Sequence, residues 1–501
     1  MTACMDLSSA LHAHAMKNPQ KIALICGDAA MTYQELDESS AALAHWFLDQ
    51  GLQPGDRVAL HWSNSLEVVQ LFFALFKAGL IAVTINVRLK SPEIRYILNH
   101  SQARMCFSEP ALAPLAEQAG TACAILKQRP ELETAKAHYG ALPPVDLDQP
   151  AALLYTSGTT ANPKGVIHTH RSLFHTALIM ASDVIEPNDV TMIITPLMHA
   201  AALNIVLLPG LYVGASVVLL GAFEPTAVLD AIQQFHCSYA FCLPALLHFV
   251  TEEQARVPRN VSSLRTMLAG GDTVPVALQD KFQKLFGIQI REIYGMTETL
   301  PLTLNPKDSI RAGSMGVTKE GFQVRIVDLA GRDVADSDTG EIVVRSPANC
   351  LGYWNDPEAT KTAIRDGWLH TGDLACRDAD EYYWFKGRRK QIIIRAGSNI
   401  SPQEVEEALY RHGAVFEVGV VGAPDPIYGE IVVAFVVLRE GRKATQEELR
   451  QFARQRLADY KVPERILYLD VLPKGPSGKV QRRALKEMLL ARVDAVKSTV
   501  T

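Results

Sequence analysis

The stretch that most restricts this chain begins at Ala151. Four apolar residues, Ala151 to Leu154, run without a break into Tyr155-Thr156-Ser157-Gly158-Thr159-Thr160-Ala161-Asn162-Pro163-Lys164-Gly165-Val166. The apolar run reads as a buried strand. Beyond it the chain offers aliphatic hydroxyls at Thr156, Ser157, Thr159 and Thr160, with Gly158, Gly165, Pro163 and Lys164 among them. Hydroxyls and bare backbone N–H groups can wrap phosphate oxygens, glycine lets the backbone come close, and Lys164 adds a positive charge. The order is not that of the common phosphate loop: Gly-x-x-x-x-Gly-Lys-Ser/Thr is absent, and Lys164 precedes its glycine. A solvated linker would not come after a buried strand with so ordered a mixture, so this loop is a candidate polyanion site.

Strands and helices alternate on both sides of it. Lys21 to Gly27, Arg57 to His61, Ile81 to Ile85 and Arg104 to Ser108 read as strands. Tyr33 to Gly51 reads as a helix with Leu36, Leu43, Trp46 and Phe47 on one face and a stop at Gly51. Ser63 or Asn64 is placed to cap the next helix, which ends at Gly79. Beyond the loop, Thr191 to Thr195, Ser216 to Leu220, Ser238 to Cys242, Leu264 to Leu268 and Ile288 to Ile293 read as strands, with helices at 225–235 and 275–286. This spacing implies a mostly parallel sheet covered on both faces. From Gly313 to Pro347 short alternating segments, such as Gln323 to Val327 and Glu341 to Arg345, point to a small antiparallel barrel or sheet. Beyond Gly387 strands and helices start afresh over roughly 110 residues, enough for one small domain.

Ala200 to Gly221 carries no charged residue and is long enough to suggest a membrane span. Pro209-Gly210 should break it, leaving a buried helix, a turn and a strand. Met1 to Asn18 lacks the apolar core of a signal peptide. The eight cysteines are scattered with no Cys-x-x-Cys pair, the nearest being Cys237 and Cys242, which fits reduced thiols and a cytoplasmic protein. A net charge of −5 argues against a nucleic-acid partner. With 501 residues, 48% of them hydrophobic, two or more soluble domains are expected.

Six further stretches carry chemistry-bearing residues. Tyr294-Gly295-Met296-Thr297-Glu298-Thr299 comes after a predicted strand, where open α/β sheets bind ligands. Gly270-Gly271-Asp272 and Thr371-Gly372-Asp373 are glycine turns ending in a carboxylate. Gly387-Arg388-Arg389-Lys390-Gln391 precedes Gly397-Ser398-Asn399-Ile400-Ser401-Pro402-Gln403-Glu404, in which Ser401 is a candidate helix cap with Glu404 in the first turn. Pro473-Lys474-Gly475-Pro476-Ser477-Gly478-Lys479-Val480 sets two lysines among glycines and prolines. Taken singly, each has a plainer reading: a surface glutamate, a tight turn, a basic solvated loop.

Together and in this order, they resemble the signatures of the adenylate-forming superfamily, which includes acyl-CoA synthetases, luciferases and peptide-synthetase adenylation domains. The resemblance implies an α/β fold: a large N-terminal domain (1–387) of mostly parallel α/β sheets plus a small β-barrel, a hinge (388–391), and a small mobile α+β C-terminal domain (392–501). It implies ATP, Mg²⁺ and coenzyme A as cofactors. Thr156, Ser157, Gly158, Thr159, Thr160 and Lys164 would wrap phosphates. Tyr294 would stack on adenine beside Gly295, Thr297 would meet the α-phosphate, and Glu298 would hold the metal, a single carboxylate being sufficient for magnesium beside phosphate oxygens. Gly270, Gly271 and Asp272 would flank adenine and the acyl group, and Asp373 would take the ribose hydroxyls with Arg388 beside it. Gly397 would border the thiol tunnel after rotation about the hinge. Lys479 would bridge carboxylate and α-phosphate, with Lys474 the competing candidate. The chain departs from the pattern at Ala161, where many relatives have Gly, at Lys386, where an apolar residue is commoner, and at Lys390-Gln391, where many have Asp at or just after the pivot, which leaves the pivot residue open.

Pro196-Leu197-Met198-His199 resembles the wall of the acyl pocket, with His199 as its gating ring, although a core histidine on a loop would look the same. Ala200, Ala201, Ala202, Leu203, Phe241, Cys242 and Met267 would make that wall apolar. The expected reaction is activation of a fatty or aromatic monocarboxylate to an acyl-adenylate, then transfer to coenzyme A. The alternative is an enzyme loading an acyl group onto a carrier protein. A binding protein without turnover and a luciferase-like oxidase are weaker readings. A homodimer is left open.

Overall fold

The computed structural model describes residues 6–130, 142–156, 163–396, 398–475 and 479–497. Ser157, Gly158, Thr159, Thr160, Ala161 and Asn162 of the phosphate loop, Gly397, and Pro476-Ser477-Gly478 lie outside them.

Local capping sets where the helices begin. The Thr32 hydroxyl accepts from the Glu35 N–H, and the Glu35 carboxylate accepts from the Thr32 N–H at 2.7 Å. This reciprocal pair satisfies two orphan donors at the start of the helix Tyr33–Asp49. The next helix, Leu66–Lys77, is capped not by Ser63 or Asn64 but by Ser65, which accepts from the Val68 N–H. Asn64 is occupied elsewhere. Its Nδ2 donates to the carbonyls of Thr195 and Leu220, and its Oδ1 accepts from the Leu197 N–H at 2.8 Å. It thus anchors the Pro196–His199 segment.

Residues up to Arg388 build three sheets. The first has nine strands in the order Val317–Thr318, Thr299–Leu304, Ile290–Met296, Thr266–Gly270, Tyr239–Cys242, Val190–Ile193, Ser216–Leu219, Ile22–Cys26, Ala29–Thr32. The run from Ile290–Met296 to Ile22–Cys26 is parallel, and the edge strands are antiparallel. The second has seven strands: Gly352–Tyr353, Lys164–Thr169, Pro150–Thr156, Ile81–Thr84, Arg57–His61, Met105–Ser108, Ala124–Leu126. It is parallel from Pro150–Thr156 outward and closed at the other edge by antiparallel partners. Leu66–Lys77 is buried at every position from Val68 to Phe76, as a helix packed on more than one side must be. Phe47, Phe72, Phe76 and Phe107 share one apolar cluster with Leu24 and Leu268 of the first sheet and Leu60 and Leu154 of the second. Each such side chain contributes about 1.5–3 kcal/mol on full burial.

The expected break at Pro209-Gly210 does not occur. A π-helix, Ala201–Leu207, runs directly into the α-helix Leu208–Val213, with Pro209 in its first turn. The Leu208 N–H still bonds back to the Leu203 carbonyl, and the Ile205 carbonyl, four residues before Pro209, accepts instead from the Tyr239 hydroxyl at 2.9 Å, which makes good the N–H a proline lacks. The chain turns instead at Gly214, with φ +84°. Among the described residues no helix is long and apolar enough to cross a membrane, and the described cysteines are free.

The third sheet is antiparallel, in the order Gln323–Val327, Gly340–Arg345, Trp368–Arg377, Ile364–Arg365, with Tyr383–Arg388 also pairing with Trp368–Arg377. From Ile393 a separate small lobe forms. Val415–Asp425 and Gly429–Leu438 pair as a long hairpin, extended by Ile393–Arg395, Ser398–Ile400 and the parallel strand Arg465–Tyr468. Ser401 does stand at the N-cap of Pro402–Tyr410, but its hydroxyl meets Gln403 Oε1 at 3.1 Å and caps no N–H. Glu404, in that first turn, pairs with Lys461.

Candidate active site

The site lies where strands of the first two sheets end and the small lobe touches them. Pro150–Thr156 and Lys164–Thr169 pair so that Thr156 lies opposite Lys164. These two residues form the neck of the phosphate loop; Ser157, Gly158, Thr159 and Thr160 are not described. Gly352–Tyr353 pairs antiparallel with Lys164–Thr169. This edge strand puts the Tyr353 ring 4.8 Å from Lys164 Nζ and its hydroxyl 2.7 Å from Glu298 Oε1. Lys164 also lies 4.0 Å from Asp356 Oδ2.

Glu298 is buried, and burial pushes its carboxyl above the usual carboxylate range while the Tyr353 bond opposes the shift. Thr297, just before it, is held through its backbone. His168 Nε2 lies 2.7 Å from the Thr297 carbonyl and Nδ1 lies 3.1 Å from Ser172 Oγ. A carbonyl only accepts, so Nε2 carries the proton and Nδ1 accepts from Ser172. Burial drives His168 down to about 4, keeping the ring neutral.

Two glycines of the predicted site answer to close packing within the sheet. A Cβ on Gly270 would lie 2.1 Å from the Ile293 carbonyl oxygen of the neighbouring strand. One on Gly295 would meet Leu300 Cδ2 at 2.5 Å. Gly271, with φ +84°, turns the chain toward the small lobe; a Cβ there would be 3.7 Å from Lys479 Nζ. Asp272 is exposed at the same turn.

Tyr294 and Asp373 are joined: the tyrosine hydroxyl donates to Asp373 Oδ2 at 2.8 Å. Arg388 Nε reaches Asp373 Oδ1 at 3.1 Å, because Trp368–Arg377 and Tyr383–Arg388 pair with Asp373 opposite Arg388. Burial raises the Asp373 carboxyl above its usual range against the pull of Arg388 and Tyr294. Each of its oxygens keeps a lone pair free to accept a further hydroxyl.

The small lobe contributes Lys479. The residue is open to solvent, yet its ammonium lies between the lobes. Desolvation there draws it below the ordinary lysine range, with Asp272 and Asp373 opposing and Arg388 adding to the fall. Lys474 is committed elsewhere, with Nζ 2.5 Å from Glu417 Oε1. His199 accepts from Asn86 Nδ2 at 3.0 Å; burial first, then Lys479 and Arg88, bring it down to about 4. Gly397 is not described.

The geometry therefore joins Tyr294, Asp373 and Arg388 directly, sets Lys479 at the Gly271-Asp272 turn where the charges of Asp373 and Arg388 reach it, and links Glu298 to Lys164 through Tyr353. Tyr353, His168 and Asn86 were not singled out in the sequence, because each acts through a contact with a distant segment and belongs to no compact motif. Among the described residues no group of three or more His, Cys, Asp or Glu could hold a metal ion. Glu298 fits magnesium in a different way: it is one buried carboxylate that forms no ion pair among the described residues, and magnesium takes one or two carboxylates and fills its shell with phosphate and water oxygens.

The arrangement suits a polyanion between the sheets, approached by a cation from a second lobe. Residues 11–354 match the family described as AMP-binding enzyme, and residues 404–479 match the AMP-binding enzyme C-terminal domain. A feruloyl-CoA synthase of Amycolatopsis sp is 36% identical over 470 residues, covering 93% of this chain and 95% of that protein. A fatty acid–[acyl-carrier-protein] ligase of Streptomyces coeruleorubidus is 33% identical over 491 residues, covering 95% and 94%. An anthranilate CoA ligase solved in complex with anthranoyl-AMP superposes with a TM-score of 0.92 at 27% identity, covering 98% of this chain and 99% of that one. With both its lobes matched and near-complete coverage of these relatives, the chain belongs to the AMP-binding enzyme family.

Proposed function

We propose that this protein is an AMP-forming acid–thiol ligase acting on a monocarboxylate with an apolar body. A carboxylate oxygen attacks the α-phosphorus of ATP, the bond to the bridging oxygen breaks, and pyrophosphate leaves. The thiol of coenzyme A then attacks the acyl carbon of the adenylate, its proton is lost, and AMP leaves as the thioester forms. Neither step needs a nucleophilic side chain. The protein's contribution is positioning and charge stabilisation.

The observation that carries this reading is the placing of Lys479 Nζ against the Gly271-Asp272 turn, 3.7 Å from where a Gly271 Cβ would stand and in one cleft with Asp272, since it brings a cation from the small lobe to a site built by the large one. In our assignment Lys479 neutralises charge shared by the attacking carboxylate and the α-phosphate. Lys164 and Thr156 hold the outer phosphates, Asp373 and Arg388 hold the ribose, and Tyr294 braces Asp373 and lies against the base. His199, neutral and tied to Asn86, closes the acyl pocket. Glu298 and Thr297 would hold Mg²⁺ and the α-phosphate; the ion, when bound, would offset negative charge on the phosphates. We place the domain boundary at 388–391, between the strand Tyr383–Arg388 and the first strand of the small lobe.

The relative that loads a carrier protein keeps a second reading alive, in which a phosphopantetheinyl protein replaces free coenzyme A. Pyrophosphate release measured over a panel of fatty and aromatic acids, then thioester formation with coenzyme A or a carrier protein, separates the two. Acid-dependent pyrophosphate release with no thioester on coenzyme A would reject the first.

A further inference from the structure

Away from the nucleotide site the lobes meet at a second place. The helix Pro244–Arg256 of the large lobe carries His248, Phe249 and Glu252. Against it stands Phe416, on the first strand of the small lobe's long hairpin. The Phe416 ring lies 5.0 Å from that of His248 at 72° and 6.0 Å from that of Phe249. Arg439, just past the second strand of the hairpin, reaches Glu252 at 3.7 Å, and Lys474 lies over the Phe249 ring at 6.0 Å.

These contacts form a rim only. Behind them a cleft opens between the lobes, lined by Leu243, Pro275 and Leu278 on one side and Tyr410 and Val418 on the other, and Lys479 borders it. A permanent interface would fill such a space, because protein interiors are close-packed. The ion pair is weak: the Glu252 and Arg439 side chains are each 39% exposed, exposed pairs contribute little, and Glu252 is already paired with Lys281 at 2.6 Å. The edge-on aromatic contact is the specific part.

We infer that Phe416, seated against His248 and Phe249 with Arg439 beside Glu252, is a releasable latch that holds the small lobe in the pose presenting Lys479. It rests on the two-step reading above, and it sets how the enzyme divides its time between adenylation and thiol transfer. A contact made in only one of two poses biases the equilibrium by its own free energy and no more. Phe416 touches no substrate in this scheme; it is a positioning residue.

The test is Phe416→Ala, alone and with Arg439→Ala, assayed in each half-reaction separately. Pyrophosphate release without coenzyme A should fall by about two- to tenfold, the weight of one aromatic pair, while thioester formation from supplied acyl-adenylate should hold or rise. Phe416→Leu should recover part of the loss. Phe249→Ala, on the large lobe at a half-exposed position, should give the same split even where Phe416→Ala folds poorly. Equal loss in both half-reactions, or no change in either, overturns the latch. Wild-type protein inactive in both assays overturns the ligase reading instead.

Discussion

The Tyr353 hydroxyl donates to Glu298 Oε1 at 2.7 Å while the face of the same ring receives Lys164 Nζ at 4.8 Å. One side chain on a two-residue edge strand thus spans the anionic and cationic halves of the candidate phosphate site.

Tyr353→Phe keeps the ring and removes the donor. Burial already raises the Glu298 carboxyl and the tyrosine bond lowers it, so its loss raises it further. Less of the carboxylate is then ionised at a given pH, and the acid limb of the adenylation rate moves to higher pH. At neutral pH the rate should fall by about ten- to a hundredfold, the scale of one hydrogen bond to a charged group. Pyrophosphate release measured from acid to neutral pH reads both effects, and an unmoved acid limb would contradict an ionised Glu298.

Lys479→Ala should slow adenylation by roughly two to three orders of magnitude, the scale of one preorganised charge contact. Thiol transfer from supplied acyl-adenylate should be mostly spared. In the wild type, desolvation holds the ammonium below the ordinary lysine range, so adenylation should decline on the alkaline side before a free lysine would titrate. The paired assays discard the assignment if the two half-reactions fall in parallel.

Acid should unfold the protein through its buried histidines. His61, His168 and His170 are 0%, 1% and 6% exposed, and burial brings each down to about 4. In the unfolded chain they take protons near 6.5, so the unfolded state binds more protons as pH falls from there toward 4. Stability is fully kept above 6.5 and is lost below it, by up to about 1.4 kcal/mol per pH unit for each ring. Thermal melts at stepped pH should show the midpoint dropping across this window, less steeply in His170→Phe.

Gly270→Ala should cost about 3 kcal/mol or more, because the added carbon meets a backbone oxygen that cannot rotate away. Denaturant unfolding measures it. A near-neutral result would mean the two strands can part, and that the glycine serves the ligand instead.

Much of the fold could be read from local pattern. Pro225–Phe235 is helical over the very residues its periodicity marks, and the parallel strands fall within a few residues of the apolar runs. Pro209-Gly210 misled because the hydrogen bond the proline cannot make is supplied from a distant strand: the Ile205 carbonyl accepts from the Tyr239 hydroxyl, and the helix runs on. The sequence offers Ser63 or Asn64 as the cap and passes over Ser65, which does it; what removes Asn64 is tertiary, its amide being drawn to Thr195, Leu197 and Leu220. The sequence favours Lys479 over Lys474 by resemblance alone, and the ion pair of Lys474 with Glu417 adds a physical reason. His168 and Tyr353 carry no motif, since their partners, Thr297 and Glu298, lie on distant segments.

The cross-strand pairing of Thr156 with Lys164 bears on how such a loop can vary. Residues added between these two positions would lengthen the loop and leave both stems in place. A single deletion inside Pro150–Thr156 would instead shift the ladder by one and turn alternate side chains to the opposite face. Length variation among descendants of this sequence should therefore collect beyond Thr156, with the strand before it closed to insertion and deletion alike.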